Sequence, residues 1–222
     1  MRLAQLVQRY RAIVFDKDGT LIDTERHWYD AYHEFLTELG HAHDPETHGK
    51  MLGRSPRHAI GVLQDRHPHL PNHPEAWIGL NADVKSRYDR RKRDSGVRKM
   101  DGAEQLITAC VSHRIPIALA SSAHREDVDK DLERHGWRPF FPISVSGDDV
   151  ANHKPHPEPF LKAAALLGID PRDCLAVEDG AAGVHSARAA GMDVLFVRDP
   201  RFGAPVMEEA TYTLASLEEL FL

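Results

Sequence analysis

The run Ile13-Val14-Phe15-Asp16-Lys17-Asp18-Gly19-Thr20-Leu21 constrains what this chain can fold into more than any other segment. An apolar stretch ends there in two aspartates one residue apart, and Gly19 and Thr20 break it. An apolar run closed by a glycine reads as a buried strand entering a loop. Side chains alternate along a strand, so Asp16 and Asp18 face the same way if the extended geometry holds through Asp18. Carboxylates that converge at a strand end raise each other's pKa unless a cation sits between them. A hard dication such as Mg2+, which takes oxygen ligands, meets that need. The spacing suggests a metal-bound carboxylate nucleophile beside a carboxyl that exchanges protons. Taken alone, the segment also fits a plain Asp- and Gly-rich turn after a strand.

Composition narrows the setting. A chain of 222 residues can build one sizeable core, or a core domain with a smaller insertion. At 41% hydrophobic residues it reads as globular rather than disordered. A formal net charge of -6 favours solubility and argues against a nucleic-acid binder. Cys110 and Cys174 lie far apart in apolar stretches and match no metal spacing, so they read as buried reduced thiols. Met1 to Arg11 lacks the apolar core of a signal peptide, and no apolar run approaches a membrane span. The expected location is the cytoplasm.

Along the chain, residues 1–23 supply the first strand and its acidic loop, and 24–97 read as helices. Trp28, Tyr32, Phe35, Leu36 and Leu39 share one helical face, and Gly40 stops that helix. Ala59, Ile60 and Leu63 mark a second helix after Pro56, and Trp77, Leu80, Val84 and Tyr88 a third. From 98 to 222 strands and helices alternate. Leu106, Ile107, Cys110 and Val111 line a helix, Ile115 to Ala120 is a strand, and Val128 and Leu132 mark a helix. A short strand follows in Phe141 to Val145, a helix in Phe160 to Leu167, and a strand in Cys174 to Val177. Ala181 to Ala190 is then helical, and Val194 to Val197 is another strand. The pattern predicts an α/β fold: a doubly wound, Rossmann-like parallel-sheet core covered on both faces, with an inserted α-helical cap domain. Sites in such sheets gather beyond the C-terminal ends of the strands.

The other chemistry-bearing residues fall at such ends. Ser121 and Ser122 follow Ile117 to Ala120, Lys154 lies in a loop before Pro155, and Glu178 and Asp179 follow Leu175 to Val177. A hydroxyl and an ammonium beside a carboxylate-bound dication make a phosphate cradle, and a second acidic pair completes an oxygen-rich shell. Each piece has a plainer role. The serines suit a turn, Lys154 a solvated loop, and Asp179 a helix N-cap.

Together these segments resemble the motifs of the haloacid-dehalogenase-like hydrolase superfamily. Asp16-Lys17-Asp18-Gly19-Thr20 matches the first motif, and Ala118-Leu119-Ala120-Ser121-Ser122 the second. Lys154-Pro155-His156-Pro157-Glu158-Pro159 matches the third, and the stretch from Val177-Glu178-Asp179-Gly180 to Ala190-Gly191-Met192 the fourth. The helical insertion is similar to the cap of the subgroup holding phosphoglycolate phosphatases, sugar-phosphate phosphatases and β-phosphoglucomutases. The resemblance implies a Mg2+-dependent phosphatase acting on a small phosphorylated metabolite, of sugar-phosphate or phosphoglycolate type. Asp16 would attack phosphorus to form an aspartyl-phosphate, and Asp18 would protonate the leaving oxygen and then activate water. Ser121, Ser122 and Lys154 would hold the phosphoryl group with backbone N–H groups near Lys17 and Asp18. The cation would be held by Asp16, the main-chain carbonyl of Asp18 and Asp179, with Glu178 supporting it. A β-phosphoglucomutase-like phosphosugar mutase is the alternative, and a binding protein with an idle site a more distant one.

Lys17 departs from the family pattern, because that position is often apolar; an extra cation there bears on the charge balance. Gly180 stands where many relatives carry serine. In the cap, Gly53-Arg54-Ser55 resembles the specificity loop, which makes Arg54 a candidate substrate contact; a solvated loop arginine is the alternative. His27 near the hinge is a further specificity candidate, and His124 and Arg125 after the second motif are candidates for leaving-group contacts. His27 lies one residue before the mutase histidine position, where this chain has Trp28, and the mutase cap lysine has no counterpart in register. Lys85 to Lys99 is the most basic stretch and reads as a solvated helix end that steers phosphorylated substrates rather than a nucleic-acid patch. The cap histidines read as surface residues. A monomer or homodimer is expected, with no membrane partner.

Overall fold

The computed structural model describes residues 2–52, 56–70, 73–203 and 206–222. It divides into two compact units. One comprises Met1–Ile22, Lys99–Arg198 and Val206–Leu222, and the other Asp23–Arg98 with Asp199–Pro205. The segment Asp199–Pro205, counted with the core on sequence alone, thus groups with the helical unit. Its side chains explain why. Arg201 donates to both carboxylate oxygens of Asp23 at 2.7 and 2.8 Å, and the Phe202 ring lies 4.8 Å from that of His48.

Six strands form one parallel sheet in the order β3-β2-β1-β4-β5-β6. They are β1 (Ala12–Phe15), β2 (Ile117–Ala120), β3 (Ile143–Val145), β4 (Cys174–Glu178), β5 (Asp193–Val197) and β6 (Tyr212–Leu214). The helices are α1 (Leu3–Arg9), α2 (Glu25–Glu38), α3 (Pro45–Gly49), α4 (Pro56–Arg66), α5 (Pro74–Ser95), α6 (Ala103–Ser112), α7 (Arg125–Arg134), α8 (Glu158–Leu167) and α9 (Ala181–Ala189). Every residue of β1, β2 and β4 is buried, so these strands are apolar runs instead of alternating ones, with Glu178 the charged last residue of β4. Val14, Ala118 and Ala176 pack on one face against Phe160 of α8 and Val184 of α9. On the other face Phe15 meets Phe141 edge to face, ring centroids 5.9 Å apart. From β1 the strand order runs one way through β2 and β3 and the other way through β4 and β5, so right-handed crossovers would put α6 and α7 on one side and α8 and α9 on the other. Strand order therefore reverses between β1 and β4, which opens a crevice at their C-terminal ends.

Helix α1, helix α3 and strand β6 go beyond the elements expected from the sequence; all are short. Leu39 and Val111 were expected on apolar faces but are 49% and 43% exposed. Leu39 is the cap residue just past α2, and Val111 lies in the last turn of α6, where neither is covered. Both cysteines are free and buried. No helix among the described residues is long and apolar enough to cross a membrane.

The helical unit has its own core of Ala31, Leu36, Leu63 and Val84, with Trp28 stacked on Tyr88 at 4.0 Å. Helix α5 starts at Pro74, with His73 Nδ1 accepting from the Ala76 N–H at 3.3 Å, and ends at Gly96, whose φ is 69°. The basic stretch is exposed at Lys85, Arg90 and Arg98 but is also paired: Arg87 donates to Glu34, Glu38 and Asp83, and Arg90 and Arg91 both reach Glu34. The acidic face of α2 supplies its counter-charge. One expectation is corrected here: not all the cap histidines are on the surface. His43 and His48 are 3% and 1% exposed and share a hydrogen bond of 3.1 Å. The short helix α3 folds His48 back onto His43, with Asp44 capping it through the Thr47 N–H at 2.8 Å.

Candidate active site

Pairing of β1 with β4 continues one residue past the strand, because the Asp16 N–H donates to the Val177 carbonyl at 2.9 Å. Asp16 is therefore fixed at the strand tip and is 7% exposed. The chain then turns back on itself. Leu21 N–H donates to the Lys17 carbonyl at 2.9 Å, and Gly19 N–H to the Ile22 carbonyl at 2.8 Å. Gly19 has φ 82°, and a Cβ there would fall 2.0 Å from Asp179 Oδ2. Glycine is needed both for the backbone and for the space Asp179 occupies. Thr20, which the sequence did not single out for a role, donates through Oγ1 to Asp179 Oδ1 at 3.1 Å.

At the neighbouring strand end Glu178 closes β4, and its Oε2 accepts the N–H groups of Asp179 and Gly180, both at 2.9 Å. Gly180, not Asp179, takes the N-cap position of α9. Lys154 joins the two strand ends. Its Nζ donates to Asp16 Oδ1 at 2.6 Å and to Glu178 Oε1 at 2.7 Å. Burial opposes the Lys154 charge, yet Asp16 and Glu178 outweigh it and hold the ammonium above its ordinary pKa. Burial pushes the Asp16 carboxyl up, to about 7, against the pull of Lys154 and with further push from Glu178 and Asp18.

One ligand atom each from Asp16, Glu178 and Asp179 lie within 4.8 Å of one another. Two buried carboxylates, Asp16 and Glu178, share the single Lys154 ammonium, and burial alone disfavours the ionised Asp16. Hard oxygen donors with unbalanced negative charge fit a dication of the Mg2+ kind. The Asp18 carboxylate falls outside this cluster. It is one-third exposed and accepts from Lys17 Nζ at 3.0 Å.

Ser121, buried at the end of β2, accepts the Ala123 N–H on Oγ at 3.1 Å, and its own hydroxyl hydrogen remains to be donated. Ser122 is exposed, and its carbonyl lies beside Gly147. The Lys17 side chain differs from a phosphate ligand. It is 2% exposed and donates to Asp131 Oδ2 at 2.6 Å as well as to Asp18. Burial works against its charge, while Asp18 and Asp131 hold it above the ordinary lysine value. Asp131 was missed, although its spacing of i+3 from Val128 and its place beside Leu132 put it on the buried face of α7.

The remaining candidates are dispersed. His124 is exposed and pairs with Asp148 at 2.9 Å. Arg125 ties α7 to β3, donating to Ser144 Oγ and the Ser144 carbonyl at 2.8 Å each and to Asp149. In the helical unit His27 Nε2 lies 2.7 Å from the Gly96 carbonyl. Arg54 lies outside the described residues.

Comparison with known proteins agrees with this fold. The family model for haloacid dehalogenase-like hydrolases matches residues 13–197. The chain is 32% identical over 200 residues to the fructose-1-phosphate phosphatase YqaB of Escherichia coli, covering 87% of this chain and 99% of that one. It is 30% identical over 209 residues to a bifunctional riboflavin kinase/FMN phosphatase of Arabidopsis thaliana, covering 94% of this chain but only 52% of that protein's length. Among solved structures it is similar to CbbY of Rhodobacter sphaeroides in complex with phosphate, with a TM-score of 0.72, 25% identity, and 95% and 96% of the two chains covered.

Proposed function

The chain belongs to the haloacid dehalogenase-like hydrolase family, and we propose that it is a Mg2+-dependent phosphatase that hydrolyses a small phosphorylated metabolite through an aspartyl-phosphate. The observation that carries this is the buried Asp16 carboxylate, held by Lys154 at 2.6 Å and clustered with Glu178 and Asp179.

Asp16 attacks phosphorus with one carboxylate oxygen. Lys154 Nζ and the Ser121 hydroxyl neutralise and hold the equatorial phosphoryl oxygens, with the backbone N–H groups of Lys17 and Asp18. Asp18 gives its proton to the leaving oxygen and then takes one from the water that cleaves the aspartyl-phosphate. Asp16, Asp179 and the Asp18 carbonyl would hold Mg2+, with Glu178 supporting it, and the ion would supply positive charge to offset that of the transferring group. Positioning and charge neutralisation account for most of such catalysis.

The names of the relatives make phosphorylated sugars and FMN sensible first substrates. The test is phosphate release from a panel of sugar phosphates, FMN, polyol phosphates, phosphoglycolate and nucleotides, with Mg2+ and with chelator. Metal-dependent release that disappears in folded Asp16→Asn is the expected result. Conversion of a hexose 1-phosphate to its 6-phosphate without release would replace the hydrolase by a mutase. Inactivity on every compound would remove the enzymatic role.

A further inference from the structure

Lys17 is the one chemistry-bearing residue of the first motif that hydrolysis as described leaves without a side-chain role. It stands between the two reacting aspartates, and strand alternation turns it away from Asp16 onto the Phe15 face, toward α7. There its ammonium is buried between Asp131 at 2.6 Å and Asp18 Oδ1 at 3.0 Å. Asp131 is itself 3% exposed, so the Lys17–Asp131 pair is withdrawn from water. An apolar side chain would fill the same space between β1 and α7 without desolvating two charges. What lysine adds is a fixed donor on one oxygen of Asp18.

Given Asp18 as the acid and base proposed above, we propose that Lys17, anchored by Asp131, is a positioning residue that fixes the Asp18 carboxyl for proton transfer. With Oδ1 accepting from Lys17, the other oxygen, Oδ2, carries the proton to the leaving group and later takes one from water. A flexible loop carboxyl would otherwise sample several rotamers, of which few place an oxygen on the leaving group. Asp131 acts one step further back by holding the ammonium in place.

The test reads leaving-group dependence. Para-nitrophenyl phosphate expels a stable phenolate that needs little protonation, whereas phenyl phosphate expels a more basic one that depends on the acid. The ratio of their kcat/KM values reports proton delivery, and loss of general acid catalysis is worth about 10²–10⁴-fold. Lys17→Met should lower kcat/KM for phenyl phosphate at least about tenfold more than for para-nitrophenyl phosphate. Because Lys17→Met leaves Asp131 buried without its cation, the double variant Lys17→Met/Asp131→Leu is measured beside it. It removes both charges, keeps the packing, and should show the same skew. Asp18→Asn serves as the reference. If Asp18→Asn shifts the ratio and the folded double variant does not, or if the double variant slows both substrates equally, Lys17 is a packing residue and the proposal falls. If Asp18→Asn leaves the ratio unchanged, the acid role of Asp18 is wrong and the role of Lys17 falls with it.

Discussion

Gly183 and Glu178 are matched: a Cβ on Gly183 would lie 1.6 Å from Glu178 Oε1 and 1.9 Å from its Cδ. The first turn of α9 thus comes so close to the end of β4 that only a glycine leaves room for the carboxylate. Glu178 has little freedom to yield, because Oε2 accepts two backbone N–H groups and Oε1 accepts from Lys154. Gly183→Ala should therefore displace Glu178 from the acidic cluster while leaving the sheet intact. We expect turnover to fall by about tenfold or more, and the Mg2+ concentration for half-activation to rise by a similar factor, as changes in groups supporting a metal typically do. A Mg2+ titration of activity checks this. Unchanged metal dependence would remove Glu178 from the metal's support.

Lys154 makes a different prediction, about stability. Its ammonium is the cation that partners the buried Asp16 and Glu178 carboxylates. Lys154→Met leaves two buried carboxylates facing each other, and breaking a buried pair by removing one partner costs about 3–5 kcal/mol. Mg2+ should restore part of that loss, so thermal unfolding should show a larger Mg2+-dependent rise for the variant than for the wild type. Equal rises would mean that the dication does not share this charge cluster. Turnover should be lost in either case, since Lys154 also holds the phosphoryl group.

Why so much of this site could be read from the sequence follows from how it is built. Asp16, Ser121 and Glu178 each terminate or directly follow a strand, and strands buried on both faces are apolar runs with visible ends. The parallel order then brings those ends together whatever lies between them in sequence. What could not be read depends on contacts across the chain. Asp131 is marked by spacing as lying on the buried face of α7, yet its partner Lys17 is 114 residues away in the chain and spacing cannot name it. His43 and His48 look polar, yet a short helix folds them onto each other among Tyr29 and Tyr32. The basic stretch of α5 reads as a solvated helix end, and nothing in its sequence says that Glu34 and Glu38 of α2 stand opposite Arg87. Strand β6 has three residues and joins the sheet only through its pairing with β5.

The α2–α5 contact separates two kinds of surface charge. Arg87 has a side chain only 12% exposed and donates to Glu34, Glu38 and Asp83 at once. Lys85 pairs with Asp89 on the same helix, with both side chains well exposed. Arg87→Met should cost about 1–2 kcal/mol, because it deletes several charge-assisted hydrogen bonds between two helices. Lys85→Ala should stay within about 0.5 kcal/mol. Denaturant unfolding of the two variants decides it. Equal small effects would show that α2 and α5 are held by the stacked Trp28 and Tyr88 and their neighbours, without help from the charges.

His43 gives the helical unit a predictable weakness in acid. Burial first, and His48 second, push its pKa down from 6.5 to about 3; Asp44 opposes them, while His33 and His67 add to the fall. In the folded chain His43 therefore stays neutral where an unfolded chain would already bind a proton. Between those two values the unfolded state holds more protons, so its contribution to stability is whole above about pH 6.5 and is lost as the pH falls toward about 3. A single such group changes stability by up to about 1.4 kcal/mol per pH unit. His43→Gln keeps a polar partner for His48 but cannot titrate. Thermal midpoints followed from about pH 7 down to about pH 5 should fall less steeply for the variant than for the wild type. Parallel curves would place the acid sensitivity elsewhere and show that His43 is as easily protonated folded as unfolded.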